Sequence, residues 1–122
     1  MTQPVPVDIK LHQKSHFLEV VFDDGKTFNM SCEYLRVFSP SAEVQGHGPG
    51  QETLQLDKEG VNIIAIESIG NYGVKLFFDD GHNTGIYSWS VLHRLGSQQE
   101  SNWKTYLQRL SEAGHAHSAL QS

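Results

Sequence analysis

HFLEVVFDDGKTFNMSCEYLRV, residues 16–37, reads in one run as strand, tight turn, strand and short helix. Leu18, Val20 and Phe22 alternate along residues 16–22, the period-two pattern of a half-buried strand. Asp24-Gly25 supplies the hairpin turn, because glycine takes positive φ there without steric cost. The return strand, residues 26–30, sends Phe28 and Met30 inward. Ser31 stands where a cap is needed for a short helix through Val37.

Upstream, Val5, Val7, Ile9 and Leu11 share one face of a strand over residues 5–12. Downstream, the unit returns. Phe22-Asp23-Asp24-Gly25 recurs as Phe78-Asp79-Asp80-Gly81, and Ser88 precedes a helix with Trp89 as Ser31 precedes one with Tyr34. Duplication is one reading, since repeats report architecture; convergence on Asp-Gly turns after hydrophobic strands is the other. In this second unit residues 61–69, VNIIAIESI, are apolar on both faces, which suits a central strand. Residues 71–73 turn the chain into a strand over 74–78, with a short return near 84–87. Residues 52–56 read as one more short strand.

Gly96 should end the helix after Ser88, and Ser97-Gln98-Gln99-Glu100 fits a capping box for the next. Trp103, Tyr106, Leu107 and Leu110 then form one apolar stripe to lay on the sheet. Gly114 stops that helix, and residues 115–122 read as a flexible tail. The expected fold is α+β: two β-hairpin units forming a small antiparallel sheet, with short helices and a C-terminal amphipathic helix. Residues 1–114 form a single domain in this reading.

Composition narrows the function classes. At 122 residues the chain suits one core. Its net charge of −5, with nine scattered Lys and Arg, argues against nucleic-acid binding. The lone Cys32 has no internal disulfide partner, which fits a reducing compartment, and no signal peptide or membrane-spanning run is apparent. The expected location is cytoplasmic.

Residues 34–51, YLRVFSPSAEVQGHGPGQ, form the segment least like a strand or helix, and long irregular loops in small domains tend to be functional or disordered. Three glycines flank His47, yet the run is neither a dinucleotide fingerprint nor a P-loop; folding the loop tightly is the more ordinary role for them. Arg36 could pair bidentately with Glu43 and clamp the loop. Cys32 near a helix start could be a nucleophile, although a lone cysteine is more often a buried apolar residue. Seven histidines invite a metal reading, but there is no CxxC, HExxH or His-x-Asp/Glu. If any metal binds, His82, His47 and Cys32 are the candidates; none is expected, and no cofactor.

The run Tyr34-Leu35-Arg36, Ser39-Pro40-Ser41-Ala42-Glu43 and Gln45-Gly46-His47-Gly48-Pro49-Gly50 resembles small bacterial proteins of the DUF971 family, which are similar to the N-terminal domain of gamma-butyrobetaine hydroxylase. The resemblance spans roughly residues 8–95. It implies no catalytic jelly roll, since that chemistry lies in a separate C-terminal domain of the hydroxylase. In the hydroxylase the similar accessory domain binds zinc through three cysteines after a Trp-Leu-Arg, and a later histidine. Placed on that motif, this chain has Ser39, Ser41 and Val44 at the cysteine positions and His82 at the histidine. The resemblance thus implies that the inherited zinc site is absent. Similar domains also accompany some P-loop ATPases of iron–sulfur cluster assembly, which implies an interaction or metal-trafficking context.

The sequence reading is therefore a non-catalytic binding module for an unknown protein or small molecule, with no nucleic acid and no membrane as partner. Arg36, Ser39, Ser41, Glu43, Gln45, His47 and Gln51 are its candidate binding residues. The alternatives are a zinc or iron domain using His82 with His47, and an accessory component of a 2-oxoglutarate-dependent oxygenase system.

Overall fold

The computed structural model describes residues 3–46 and 52–120. Within it, β1 (Pro6–His12), β2 (Phe17–Phe22) and β3 (Thr27–Ser31) form one antiparallel sheet in that order. β4 (Ile63–Ile69), β5 (Gly73–Phe78) and β6 (Ile86–Ser88) form another. The class is α+β as the sequence indicates, with the strands divided between two three-stranded sheets.

The likeness between the two units extends to register. Pro6 pairs with Phe22 and Asp8 with Val21, skipping Val7; Ile63 pairs with Phe78 and Ala65 with Phe77, skipping Ile64. Each turn closes the same way, with Phe22 N–H donating to Lys26 O and Phe78 N–H to His82 O. Gly25 and Gly81 sit at φ 86 and 91, where a side chain would be strained. Ser31 Oγ accepts from Tyr34 N–H, and Ser88 Oγ from Val91 N–H, each capping the helix that follows. Those helices are α1 (Cys32–Val37) and α3 (Trp89–Ser97). A shared bulge, turn and cap at matching positions favour duplication over convergence, because convergence on a turn has no reason to reproduce the bulge.

The inner faces of both sheets meet in one core. Leu18, Val20, Phe22 and Met30 from the first sheet join Ile63, Val74, Leu76, Phe78 and Tyr87 from the second, with Tyr34, Leu35, Leu92 and Leu95 from the helices. Burial of these side chains is the main stabilising term, roughly 1.5–3 kcal/mol each against exposure. A second cluster is formed by Val37, Tyr106 and Leu110, where α4 (Gln99–Glu112) lies over α1.

Several expectations are corrected. β4 is an edge strand, not a central one: the bulge turns Ile63 inward and leaves Ile64 58% exposed. The equivalent bulge turns Val7 outward, 64% exposed, away from the face expected for it. Residues 52–56 form no strand. Gly96 does not end α3 but lies within it, where an added Cβ would come within 2.3 Å of the Phe28 ring. The capping box at Ser97 is not made; Gln98 caps α4 without a side-chain bond. Residues after Gly114 do not fray at once: His117 is 6% exposed and a 3-10 turn follows at Ser118–Leu120. Among the described residues no helix is long and apolar enough to cross a membrane.

Candidate functional site

Ser39 and Ser41 follow α1 and lead into a second short helix, α2 (Ala42–Gln45), which Ser41 caps through Glu43 N–H. Opposite them lies the turn between β5 and β6. Ser39 Oγ stands 2.9 Å from His82 Nε2, and His82 Nδ1 stands 3.2 Å from Glu43 Oε2. Ser41 Oγ meets Thr84 Oγ1 at 2.6 Å, and Gln45 donates to Ser39 O. Burial, reinforced by the nearby Arg36 charge, lowers the His82 pKa, with Glu43 opposing. A neutral ring with Nδ1–H toward the Glu43 carboxylate leaves Nε2 to accept from the Ser39 hydroxyl. Ser39 Oγ in turn accepts from Ser41 N–H, so the chain of hydrogen bonds closes without a loose end.

Beside this network, Asp80 gathers cations. Its Oδ2 accepts from Arg36 Nε at 2.9 Å and Lys58 Nζ at 2.7 Å, and its Oδ1 from His82 N–H at 3.1 Å. Burial pushes the Asp80 carboxyl up, but the Lys58, His82 and Arg36 donors outweigh it and hold the group at about 2. Arg36 is nearly buried, and its Nη1 is buried without a hydrogen-bond partner among the described residues. Breaking this pair would leave a buried guanidinium uncompensated.

The sequence candidates therefore separate. Ser39, Ser41, Glu43 and Gln45 come together with His82. Arg36 does not pair with Glu43; it turns to Asp80, and Glu43 goes to His82. Cys32 lies in the core beside Asn62, its thiol pKa pushed up by burial, which opposes thiolate chemistry. His47 and Gln51 lie outside the described residues. Among those described, no group of three or more His, Cys, Asp or Glu side chains is placed to hold a metal ion. Asp80, Lys58 and Thr84 were missed in the sequence, where the only signal was that Asp80 shares the hairpin turn with His82.

Ser39, His82 and Glu43 stand in the order of a hydrolase triad, but access is wrong. Ser39 is fully buried, and a Cβ built on Gly85 would meet its Oγ at 2.4 Å, so no acyl group can reach it. The neighbouring cleft between α2 and α4, lined in part by Val44, Gln45, Thr53 and Tyr106, holds about 50 Å³. That is well below the roughly 300–1,000 Å³ of small-molecule sites.

Residues 9–93 match the family model described as gamma-butyrobetaine hydroxylase-like, N-terminal. The chain belongs to that family. Among solved structures, an NMR solution structure is 51% identical, with TM-score 0.80 over 96% of this chain and 90% of the other. A second NMR structure is 38% identical, with TM-score 0.81 over 94% and 90%. A crystal structure of a DUF971-family protein of unknown function from Acidithiobacillus ferrooxidans is 37% identical, with TM-score 0.62 over 75% and 91%. No curated protein matches.

Proposed function

We propose that this gamma-butyrobetaine hydroxylase-like N-terminal domain is a non-catalytic binding module. One observation carries the reading: the positions that resemble a metal-binding set are satisfied by one another. Ser39 and Ser41 are bonded internally, Val44 is buried, and both His82 nitrogens are engaged. A network closed in this way stiffens the segment and offers no open coordination position or accessible nucleophile. What it leaves outward is a preorganised surface on α2, with Ala42, Glu43 and Gln45 exposed. Preorganisation favours binding because little ordering cost remains.

The partner in this reading is a protein or small molecule, and the acidic net charge of −5 supports neither nucleic acid nor an anionic membrane. Ala42→Arg tests it, since Ala42 is exposed and none of the network's side-chain bonds is its own. The variant should fold as the parent does and lose whatever partner the parent captures; equal capture would sink the proposal. Zinc titration tests the alternative site at His82 with His47. On the binding-module reading, the His82 ring resonances stay in place.

A further inference from the structure

The chain after α4 docks onto the molecule through three acidic residues. Gly114, at φ 72, turns it away from the helix axis, and His115 N–H bonds back to Leu110 O. His115 Nε2 then meets Asp57 Oδ1 at 3.3 Å, and Ser118 donates to Glu59 Oε1 through its N–H and its hydroxyl. Between them His117 is seated, its Nε2 2.7 Å from Glu33 Oε2. Ala119 N–H donates to His117 Nδ1, so Nε2 carries the proton that Glu33 accepts.

The seat is a built one. The Glu33 side chain is only 12% exposed, and burial raises its pKa, with His117 the hydrogen-bond partner that opposes the rise. Trp103 and Tyr106 from α4 present their rings to the imidazole edge-to-face, at centroid distances of 5.6 and 6.5 Å. A largely buried carboxylate whose partner ring also packs edge-to-face against two aromatic side chains is a site for a ring-shaped or N–H-bearing cationic group, because the carboxylate accepts its N–H and the aromatics pack its body. Trp103 also borders an open groove of about 590 Å³ with Gly96, Ser97, Gln99, Glu100 and Lys104.

We infer that the seat formed by Glu33, Trp103 and Tyr106 is a peptide-recognition site for a cationic side chain, and that residues 115–119 are an autoinhibitory strap occupying it. The strap satisfies the site's chemistry in cis: an imidazole for the carboxylate and rings, a hydroxyl and a backbone N–H for Glu59, a second imidazole for Asp57. A partner segment with a histidine, lysine or arginine flanked by small polar residues would compete for the same groups. The seat shares Tyr106 with the cleft beside α2, but its bonds to the strap run through Glu33, Asp57 and Glu59 rather than α2, so His117→Ala and Ala42→Arg test the two readings separately.

The probe is a capped hexapeptide with the sequence of residues 114–119, followed by the indole N–H signal of Trp103 in full-length protein. His117→Ala should show a saturable shift. The parent should bind about tenfold more weakly, because apparent affinity falls with the fraction of molecules whose site is open. Adding Glu33→Gln to His117→Ala should abolish the shift, as should replacing both peptide histidines with alanine. Equal titration of parent and His117→Ala would show that the strap does not occlude the site, and no shift in His117→Ala would show that the seat does not recognise the segment. Either overturns the inference. Should His117→Ala fail to fold, His115→Ala/Ser118→Ala loosens the strap while leaving Glu33 partnered; its affinity should fall above the parent's, and parity with the parent overturns the inference equally.

Discussion

Arg36 Nε, Lys58 Nζ and the His82 N–H all converge on Asp80, so one carboxylate in a hairpin turn ties α1 and the turn before β4 to the second unit. Its pKa of about 2 lies below the ordinary 3.8, so the linked stability is present above the unfolded value and lost as pH falls through about 2. Discounted for solvent screening at this exposed turn, that contribution is on the order of 1 kcal/mol at neutral pH. Asp80→Asn also strands Arg36, which raises the expected loss to about 3 kcal/mol by urea unfolding at pH 7. Near pH 2 the variant and the parent should approach one another; an unchanged gap there would refute the linkage. His82 runs on a different part of the scale. Its folded pKa is lowered, so the unfolded chain takes up the proton first and stability falls as pH drops below about 6.5. The His82 ring should titrate by NMR below that value, and His82→Gln should flatten the stability slope below about pH 6.5. At this scale the sequence was half legible. Ser39, Ser41 and His82 were marked out together by the family resemblance, whereas Arg36 was assigned to Glu43, seven residues along, because a partner 44 residues away leaves no local trace.

Helices and strands were legible wherever one local rule decided them. The Ser31 and Ser88 caps, the two Asp-Gly turns and the Tyr106 and Leu110 positions on α4 needed only periodicity and turn chemistry. Gly96 failed because two roles of glycine look alike in sequence: stopping a helix and letting another element approach. Here it is the second, since the Phe28 ring fills the space a Cβ would take, at 2.3 Å. Gly96→Ala therefore sets helix propensity, which favours alanine by about 1 kcal/mol, against overpacking of about 1–3 kcal/mol. The variant should be net destabilised by on the order of 1 kcal/mol. Shrinking the neighbour, as Gly96→Ala/Phe28→Leu, should recover part of the loss beyond what the two single changes predict. A Gly96→Ala chain more stable than the parent would show that α3 can move away from Phe28 freely. β4 failed for a related reason. Its apolar residues on both faces mimic a central strand, but the bulge at Ile64 shifts the alternation, and no residue there announces the bulge.

The two units look separable in sequence, yet their packing argues that they unfold together. Sheet register, turn and cap recur, so each unit could be taken for a small domain; three strands and a helix of six or nine residues are too little to bury a sufficient core alone. The inner faces instead share one core, and two buried tyrosines lock the units across it. Tyr34 of α1 donates to Leu95 O of α3, and Tyr87 of β6 donates to Leu35 O of α1, each at 2.6 Å. The repeated Phe-Asp-Asp-Gly left duplication and convergence both open, and nothing in it showed that the copies face one another, because that depends on side chains more than 50 residues apart. Native-state hydrogen exchange distinguishes the two pictures. Amides of Val20 in β2 and Leu76 in β5 should exchange through the same global opening, with equal free energies that fall in parallel as urea is added. Tyr87→Phe, which leaves the Leu35 carbonyl buried and unpaired, should lower both by the same amount, about 1–3 kcal/mol. If Leu76 lost protection while Val20 kept it, the units would be independent foldons and the shared core would hold less of the molecule than its burial implies.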